Sequence, residues 1–336
     1  MNAVIYGAGA IGCHIAYCLY KAGCRVYLVS RGSHFQEMKQ KGLTIQLRKN
    51  EDLIKQSTIN EEKNFIILNN INDIKSKDID YIFITVKLKD YNQACFKDVS
   101  SIVGNNTAIV PPCTNLPFWW LQSLEDTEKK NFSNYKLNSS SFPTFNLNNV
   151  IGMTMWLSAV VESPGKVIVR HVQRGYPLKE LFPKMKNKAD KLRGSFSKSC
   201  ISPEIQNIHS EIFTKSLNAL AFNLVALDSE YNNSQLKESK TSIESIKKVM
   251  NEGEQITEML KIKLRQTASE RIEQTLSSTV HTMSMLHDYK NRKTIELRYL
   301  WESFENVIKT LRLNMDYTES LIKKVLKKTD KINNKK

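Results

Sequence analysis

The residues with the plainest chemical content stand at the front of the chain. Gly7-Ala8-Gly9-Ala10-Ile11-Gly12 is a Gly-x-Gly-x-x-Gly hexapeptide. The first glycine allows a tight turn, the second lets backbone approach a pyrophosphate, and the third lets a helix pack close on a strand. A helix opening here would aim its free N–H groups and positive dipole end at the phosphates. A glycine-rich turn without a ligand could have the same six letters. The setting decides between them: the hexapeptide follows the apolar run Ala3-Val4-Ile5-Tyr6 and opens a helical pattern. A second apolar run, Val26 to Ser30, continues into Arg31-Gly32. An NAD site usually places Asp or Glu there for the ribose 2′-hydroxyl, whereas a guanidinium can clamp a 2′-phosphate. The expected cofactor is therefore NADPH; the plainer reading of Arg31 is a surface cation.

Polar residues on later, helical stretches form a second group. Lys215 and Asn223 are eight positions apart, close to two helical turns, and so share a face. Ser284 and Glu296 follow. Glu296 lies four residues after Arg292 and three after Lys293, a spacing that also suits a surface ion pair. A lone lysine on a helix is ordinarily a solvated residue, and His171 and the pair Trp119-Trp120 are ordinarily packing residues.

The elements that must position these groups can be read from periodicity. Short apolar runs at 3–7, 25–30, 43–47, 80–86 and 107–110, with a helix over 11–22, give the βαβ rhythm of a doubly wound parallel sheet. Segment 124–148 is rich in Asn, Ser and Lys and reads as a long surface loop. Met153 to Val161 and Lys166 to Arg170 read as two strands joined by the turn Ser163-Pro164-Gly165. Beyond about residue 202 apolar residues recur at three- and four-residue spacing, as in Ile208, Ile212, Leu217, Leu220 and Leu224, and later in Leu300, Phe304, Ile308 and Leu311. The fold class is α/β: an N-terminal Rossmann-type doubly wound sheet over 1–203, then an all-helical C-terminal domain over 204–328, then a basic disordered tail over 329–336.

Composition narrows the function classes. A chain of 336 residues with 41% apolar content suits two cored domains. No apolar run is long enough to span a membrane. Met1-Asn2 leads directly into a strand without a basic n-region, so a signal peptide is not expected and a cytoplasmic protein is. The formal net charge of +15 comes from scattered lysines and from the stretch Lys323 to Lys336. It lacks the aromatic interleaving of a nucleic-acid module, so no nucleic-acid partner is expected; a basic surface suits small anionic ligands. The six cysteines, Cys13, Cys18, Cys24, Cys95, Cys113 and Cys200, contain no Cys-x-x-Cys pair and read as free thiols. No close His/Cys cluster of ligand spacing is present along the chain, so no metal site is expected.

Several short motifs, in order along nearly the whole chain, resemble the ketopantoate reductases (2-dehydropantoate 2-reductases). They are Gly7 to Gly12, the strand Val26–Ser30 with Arg31-Gly32 and His34, Gly42-Leu43, and Thr85-Val86-Lys87. Cys113-Thr114-Asn115-Leu116-Pro117-Phe118-Trp119-Trp120 resembles the Asn-Gly-x-Pro-Trp-Trp element of one branch, with Asn115 on the family asparagine. Ser163-Pro164-Gly165-Lys166-Val167 with Arg170-His171 resembles the same branch's Pro-Gly-x-Val-x-His hairpin. Phe213-Thr214-Lys215 with Asn223 resembles the Trp-x-Lys helix, and Ser284-Met285-Leu286-His287-Asp288 with Glu296 the Ser-Met-x-x-Asp…Glu element.

The resemblance implies NADPH-dependent reduction of the C2 carbonyl of 2-dehydropantoate to (R)-pantoate, for pantothenate and coenzyme A biosynthesis. Lys215 would be the general acid and Glu296 would orient it and the bound substrate or cofactor ribose. Cofactor contacts would come from Gly7, Ala8, Gly9, Ala10, Ile11, Gly12, Arg31, Lys87, Asn115 and Glu296. Substrate contacts would come from Asn115, Lys215, Asn218, Asn223 and Ser284, with the carboxylate near Ser284; a homodimer is compatible with it. Three departures bear on the substrate. Leu116 stands for the family glycine, Ala219 for the asparagine expected four residues after Lys215 (Asn218 is one position early), and Trp301-Glu302 for Asn-Gly. Two alternatives follow: a reductase of another small 2-oxo acid, or an NADP-binding protein without turnover. Turnover of a panel of 2-oxo acids, set against NADPH binding, separates them.

Overall fold

The computed structural model describes residues 1–49, 52–76, 78–117, 119–124, 146–277 and 281–333. Most of the expected loop 124–148, Phe118 and the last three residues lie outside the described residues, as does the side chain of His171. Two compact units are present. Described residues up to Cys113 and from Asn146 to Ile208 form one; Thr114 to Leu124 and His209 onward form the other. The segment that carries Asn115 thus belongs with the helices, not with the sheet that precedes it in sequence. No helix among the described residues is long and apolar enough to cross a membrane.

The first unit begins β1 (Asn2–Tyr6), α1 (Ala10–Lys21), β2 (Arg25–Val29), α2 (Gly32–Lys41), β3 (Leu43–Lys49), β4 (Asp52–Ile59), β5 (Phe65–Leu68), β6 (Tyr81–Ile84), α3 (Gln93–Ser100), β7 (Ala108–Val110) and β8 (Pro112–Cys113). After α4 (Trp119–Gln122), which packs with the other unit, come β9 (Ile151–Thr154), β10 (Trp156–Ser163), β11 (Lys166–Gly175), β12 (Leu178–Glu180) and α5 (Lys186–Phe196). Strands β5-β2-β1-β6-β7 make a five-stranded sheet whose pairings are all parallel. Ala3, Val4 and Ile5 are fully buried in succession, the pattern of a strand covered on both faces. The strand order reverses at β1 and β6, and in such sheets ligands bind outside the carboxyl ends at that switch point.

One expected strand lies elsewhere. The run at 43–47 is β3, but it belongs to a second sheet, β10-β11-β3-β4, pairing parallel with β11 and antiparallel with β4. The third parallel strand of the main sheet is β5, a four-residue run too short to stand out by periodicity. The hairpin between β10 and β11 turns where expected, with Gly165 at φ +74°. The expected strand from Met153 to Val161 is two elements, β9 and β10; β9 pairs with β12 and β8 in a third sheet.

The second unit is helical: α6 (Ile208–Ser229), α7 (Asn233–Glu238), α8 (Lys240–Met259), α9 (Ala268–Leu276), α10 (Ser284–Lys290), α11 (Leu297–Leu311) and α12 (Asp316–Asn333). Helix α6 is central, with Leu217, Leu220, Ala221, Leu224, Ala226 and Leu227 wholly buried. Gly253 of α8 lets the two helices meet closely, since a Cβ there would collide with the Leu217 side chain. Helix α11 buries Leu297, Leu300, Phe304 and Leu311, one stripe at helical spacing. Helix α12 continues to Asn333, past the boundary at 328 where a disordered tail is expected.

Candidate active site

In the first unit the glycine hexapeptide leaves β1 and enters α1, with Gly9 as the residue before the helix. Gly7 has φ +114°, and a Cβ on it would stand 2.9 Å from backbone atoms of Thr85 and Val86, just past β6. At Gly12 a Cβ would collide with the Gly7 carbonyl oxygen and lie 2.6 Å from Thr85 Oγ1. Thr85 Oγ1 donates to that same carbonyl at 2.6 Å, which closes the turn. Gly9 differs from both: it is exposed, and the nearest atom to an added Cβ is the Thr85 carbonyl oxygen at 4.0 Å. Open space over Gly9, beside the first N–H groups of α1, is what a bound pyrophosphate requires.

Arg31 precedes α2, and its side chain is 73% exposed. Its Nη2 donates to the Tyr6 hydroxyl at 3.2 Å and lies 3.5 Å from Asp98 Oδ2. Tyr6 in turn donates to Asp98 Oδ2 at 2.6 Å. Burial, reinforced by the hydrogen bond to Asp98, pushes the Tyr6 phenol well up, so it remains a donor. A carboxylate therefore does stand beside Arg31, although none ends β2: it comes from α3, and no local spacing could have disclosed it. His34 Nδ1 accepts from the Gly165 N–H at 2.8 Å, which leaves Nε2 as the protonated nitrogen, 3.5 Å from Cys13 Sγ. Lys87 is exposed just beyond β6, at the same end of the sheet as the glycine turn.

In the second unit Lys215 is half-buried on α6, and removal of its ammonium from water lowers its pKa from 10.5 to about 8. Asn223, two turns on, uses its amide on protein partners. Its Oδ1 accepts from the Met285 N–H at 3.0 Å and from Ser284 Oγ at 3.4 Å, and its Nδ2 donates to the Ala219 carbonyl at 2.8 Å. The fold thus brings together two of the expected substrate residues, with Asn223 capping α10 and Ser284 exposed at its start. Asn218 turns to another partner: it accepts from Nη1 of the wholly buried Arg271 at 3.2 Å. Arg271 also pairs with Glu254, and burial lowers its pKa to about 10. Glu296 is half-buried immediately before α11 and makes no ion pair with Arg292 or Lys293. Leu116 N–H donates to Ser303 Oγ of α11 at 3.3 Å, and Trp120 Nε1 donates to the His209 carbonyl at 3.0 Å. Those contacts fasten the segment that carries Asn115 to the helices. Asn115 Oδ1, Trp119 Nε1 and Ser216 Oγ are buried without a hydrogen-bond partner among the described residues. An orphaned buried acceptor or donor is costly unless a ligand completes it.

The expectation of no His/Cys cluster needs correction. His14, Cys18 and Cys200 place one ligand atom each within 4.8 Å of one another. Linear spacing hid the cluster because Cys200 reaches α1 only through the fold.

The profile of the family described as Ketopantoate reductase PanE/ApbA matches residues 3–113, and its C-terminal counterpart matches 207–329. Curated proteins yield no significant sequence match. Solved structures of similar fold include D-mandelate dehydrogenase with NADH and anilino(oxo)acetate, at TM-score 0.77 and 21% identity over 99% of this chain and 100% of that one. A PanE/ApbA family ketopantoate reductase from Ralstonia eutropha JMP134 gives 0.73 and 18%, over 99% and 100%. The 2-dehydropantoate 2-reductase from Geobacter metallireducens GS-15 gives 0.76 and 15%, over 98% and 99%. With both halves matched in order on a Rossmann-type sheet and a helical unit, this chain belongs to the ketopantoate reductase family, and is an NAD(P)-dependent oxidoreductase acting on a CH–OH/ketone group.

Proposed function

We propose that the chain reduces 2-dehydropantoate to (R)-pantoate with NADPH. The observation that carries the reading is Lys215: at the position to which the resemblance assigns the general acid stands an ammonium whose pKa burial lowers to about 8. A proton donor is most effective when its pKa lies near the working pH. The glycine loop fits the cofactor, since Gly9 leaves space for phosphate and Gly7 and Gly12 tolerate no side chain. When bound, the nicotinamide supplies a hydride for a carbonyl carbon.

The chain's own groups would do the rest. The Gly7 to Gly12 backbone would hold the pyrophosphate, and Arg31 and Lys87 would hold phosphate charge. Lys215 Nζ would keep a proton for the ketone oxygen and stabilise the negative charge developing there. Glu296 would orient Lys215 and bind substrate or ribose hydroxyls. Asn115 would offer its orphaned Oδ1 to a ligand donor. Ser284, set by Asn223, would receive the substrate carboxylate.

A second reading, another small 2-oxo acid as substrate, is favoured by one observation. The residue nearest to the expected asparagine, Asn218, is engaged by Arg271, and position 219 is alanine. Likeness of fold to D-mandelate dehydrogenase makes an aromatic 2-oxo acid a natural member of the test panel. The experiment is NADPH oxidation followed by absorbance with 2-dehydropantoate and a panel of 2-oxo acids. Turnover of 2-dehydropantoate well above the others supports the first reading. Turnover of another acid alone selects the second, and NADPH binding without any turnover defeats both.

A further inference from the structure

Helix α1 does more than present its N-terminus to the nucleotide loop. His14 and Cys18 stand four residues apart on it, so both side chains leave the same face. Cys18 Sγ lies 3.5 Å from His14 Nε2. Tetrahedral zinc with Zn–S of about 2.3 Å and Zn–N of about 2.0–2.1 Å holds its sulfur and nitrogen ligands about 3.5 Å apart. Cys200, from the segment after α5, completes the group with all three ligand atoms inside 4.8 Å. The other imidazole nitrogen, His14 Nδ1, is 2.8 Å from the hydroxyl of the fully buried Tyr176. That is the outer hydrogen bond that orients a metal-binding histidine and selects its tautomer.

From this geometry we propose that His14 Nε2, Cys18 Sγ and Cys200 Sγ form a binding site for Zn(II), or a cation of the same soft thiolate-preferring class. On binding, each thiol gives up one proton to solvent, and the two thiolates cancel the charge of the divalent ion. A neutral unit results, which is what a buried setting tolerates. Cys200, the one partly exposed member, marks the side on which water takes the fourth position. The cation would brace the middle of α1 against the chain after α5. A hydrogen bond already joins those two segments: Ser199 Oγ donates to the Cys18 carbonyl at 2.8 Å. The site is independent of substrate identity and lies apart from the glycine turn at the start of the helix.

The test uses the full chain, reduced with a phosphine, stripped with a chelator and titrated with Co(II) and then Zn(II). Expected are one equivalent of metal, a thiolate-to-Co(II) charge-transfer band with tetrahedral d–d bands, and loss of those bands as Zn(II) displaces Co(II). Tyr176→Phe should weaken metal affinity by roughly 10–100-fold. Cys200→Ser, a change at a partly exposed position, should weaken it further while the far-ultraviolet dichroism of the metal-free chain stays unchanged. Zn(II) should raise the melting temperature of wild type and not of Cys200→Ser. Failure of the reduced wild type to take up either metal stoichiometrically would overturn the site. So would uptake that survives Cys18→Ser and Cys200→Ser alike. A Cys18–Cys200 disulfide on thiol mapping, with no metal uptake after reduction, would make the cluster a redox pair and equally overturn it.

Discussion

The glycine turn of the first unit and the polar faces of the helical unit do different work by different means. Residues 7–12 would make the proposed nucleotide site from backbone: what matters at Gly7, Gly9 and Gly12 is where no side chain stands. The site proposed in the helical unit would be made of side chains on separate elements, Lys215 and Asn223 on α6, Ser284 on α10 and Glu296 ahead of α11. A backbone site survives wide sequence change because six contiguous residues carry it. A site of side chains can be altered one residue at a time, and Leu116, Ala219 and Asn218 are where this chain departs from the residues that the resemblance leads one to expect. The cofactor class is accordingly plainer than the substrate.

The sharpest break of that contrast is at Lys215. Lys215→Ala should lower single-turnover hydride transfer at saturating NADPH by roughly 10²–10⁴ and leave NADPH affinity nearly unchanged. Near wild-type transfer would remove Lys215 from the mechanism. The pH dependence has a definite sign. Ketone reduction needs the ammonium, so its rate should hold below about 8 and fall as pH rises through that value, while alcohol oxidation should rise. Burial lowers the folded pKa of this lysine, so its charged form opposes folding at neutral pH, and the opposition fades as pH rises from about 8 toward its ordinary value near 10.5, above which it is gone. Lys215→Met should therefore raise the melting temperature at pH 7 more than at pH 10.

The backbone site should respond to the smallest possible side chain. Gly12→Ala forces a collision with the Gly7 carbonyl, and overpacking of this kind costs roughly 1–3 kcal/mol, so both melting temperature and nucleotide affinity should drop. Gly9→Ala meets no neighbour closer than 4.0 Å. It should leave the melting temperature unchanged and still weaken nucleotide binding. If the two variants behave alike by calorimetry and by titration, the division of roles among the glycines is wrong.

Cofactor choice comes next in size. Loss of the Arg31 guanidinium should cost NADPH about ten- to a hundredfold in affinity and NADH little. Asp98→Asn removes the carboxylate 3.5 Å from Arg31 and should shift the ratio of dissociation constants further toward NADPH. Equal affinities of wild type for the two nucleotides would reject Arg31 as a phosphate clamp.

The smallest expected effect concerns Ala219. If the helical face lacks one substrate hydrogen bond, Ala219→Asn should raise kcat/KM for 2-dehydropantoate on the order of tenfold. No gain, together with a large loss in Asn218→Ala, would show that the face is arranged for a different acid.

What the sequence determined by itself is local. The glycine hexapeptide between a strand and a helix, the turn at Gly165 and the three- and four-residue spacing of Leu300, Phe304 and Leu311 are contained in a few neighbouring residues, because backbone hydrogen bonding and one-sided burial repeat at fixed short intervals. Tertiary structure decided what required distant partners. It moved the run at 43–47 into a second sheet and left β5 as the third parallel strand. It set Asp98 beside Arg31, turned Asn218 to Arg271 and gathered Cys200 onto the His14–Cys18 face of α1. Strand neighbours and side-chain partners are chosen by which faces bury together, and burial depends on the packed chain as a whole rather than on any window of it.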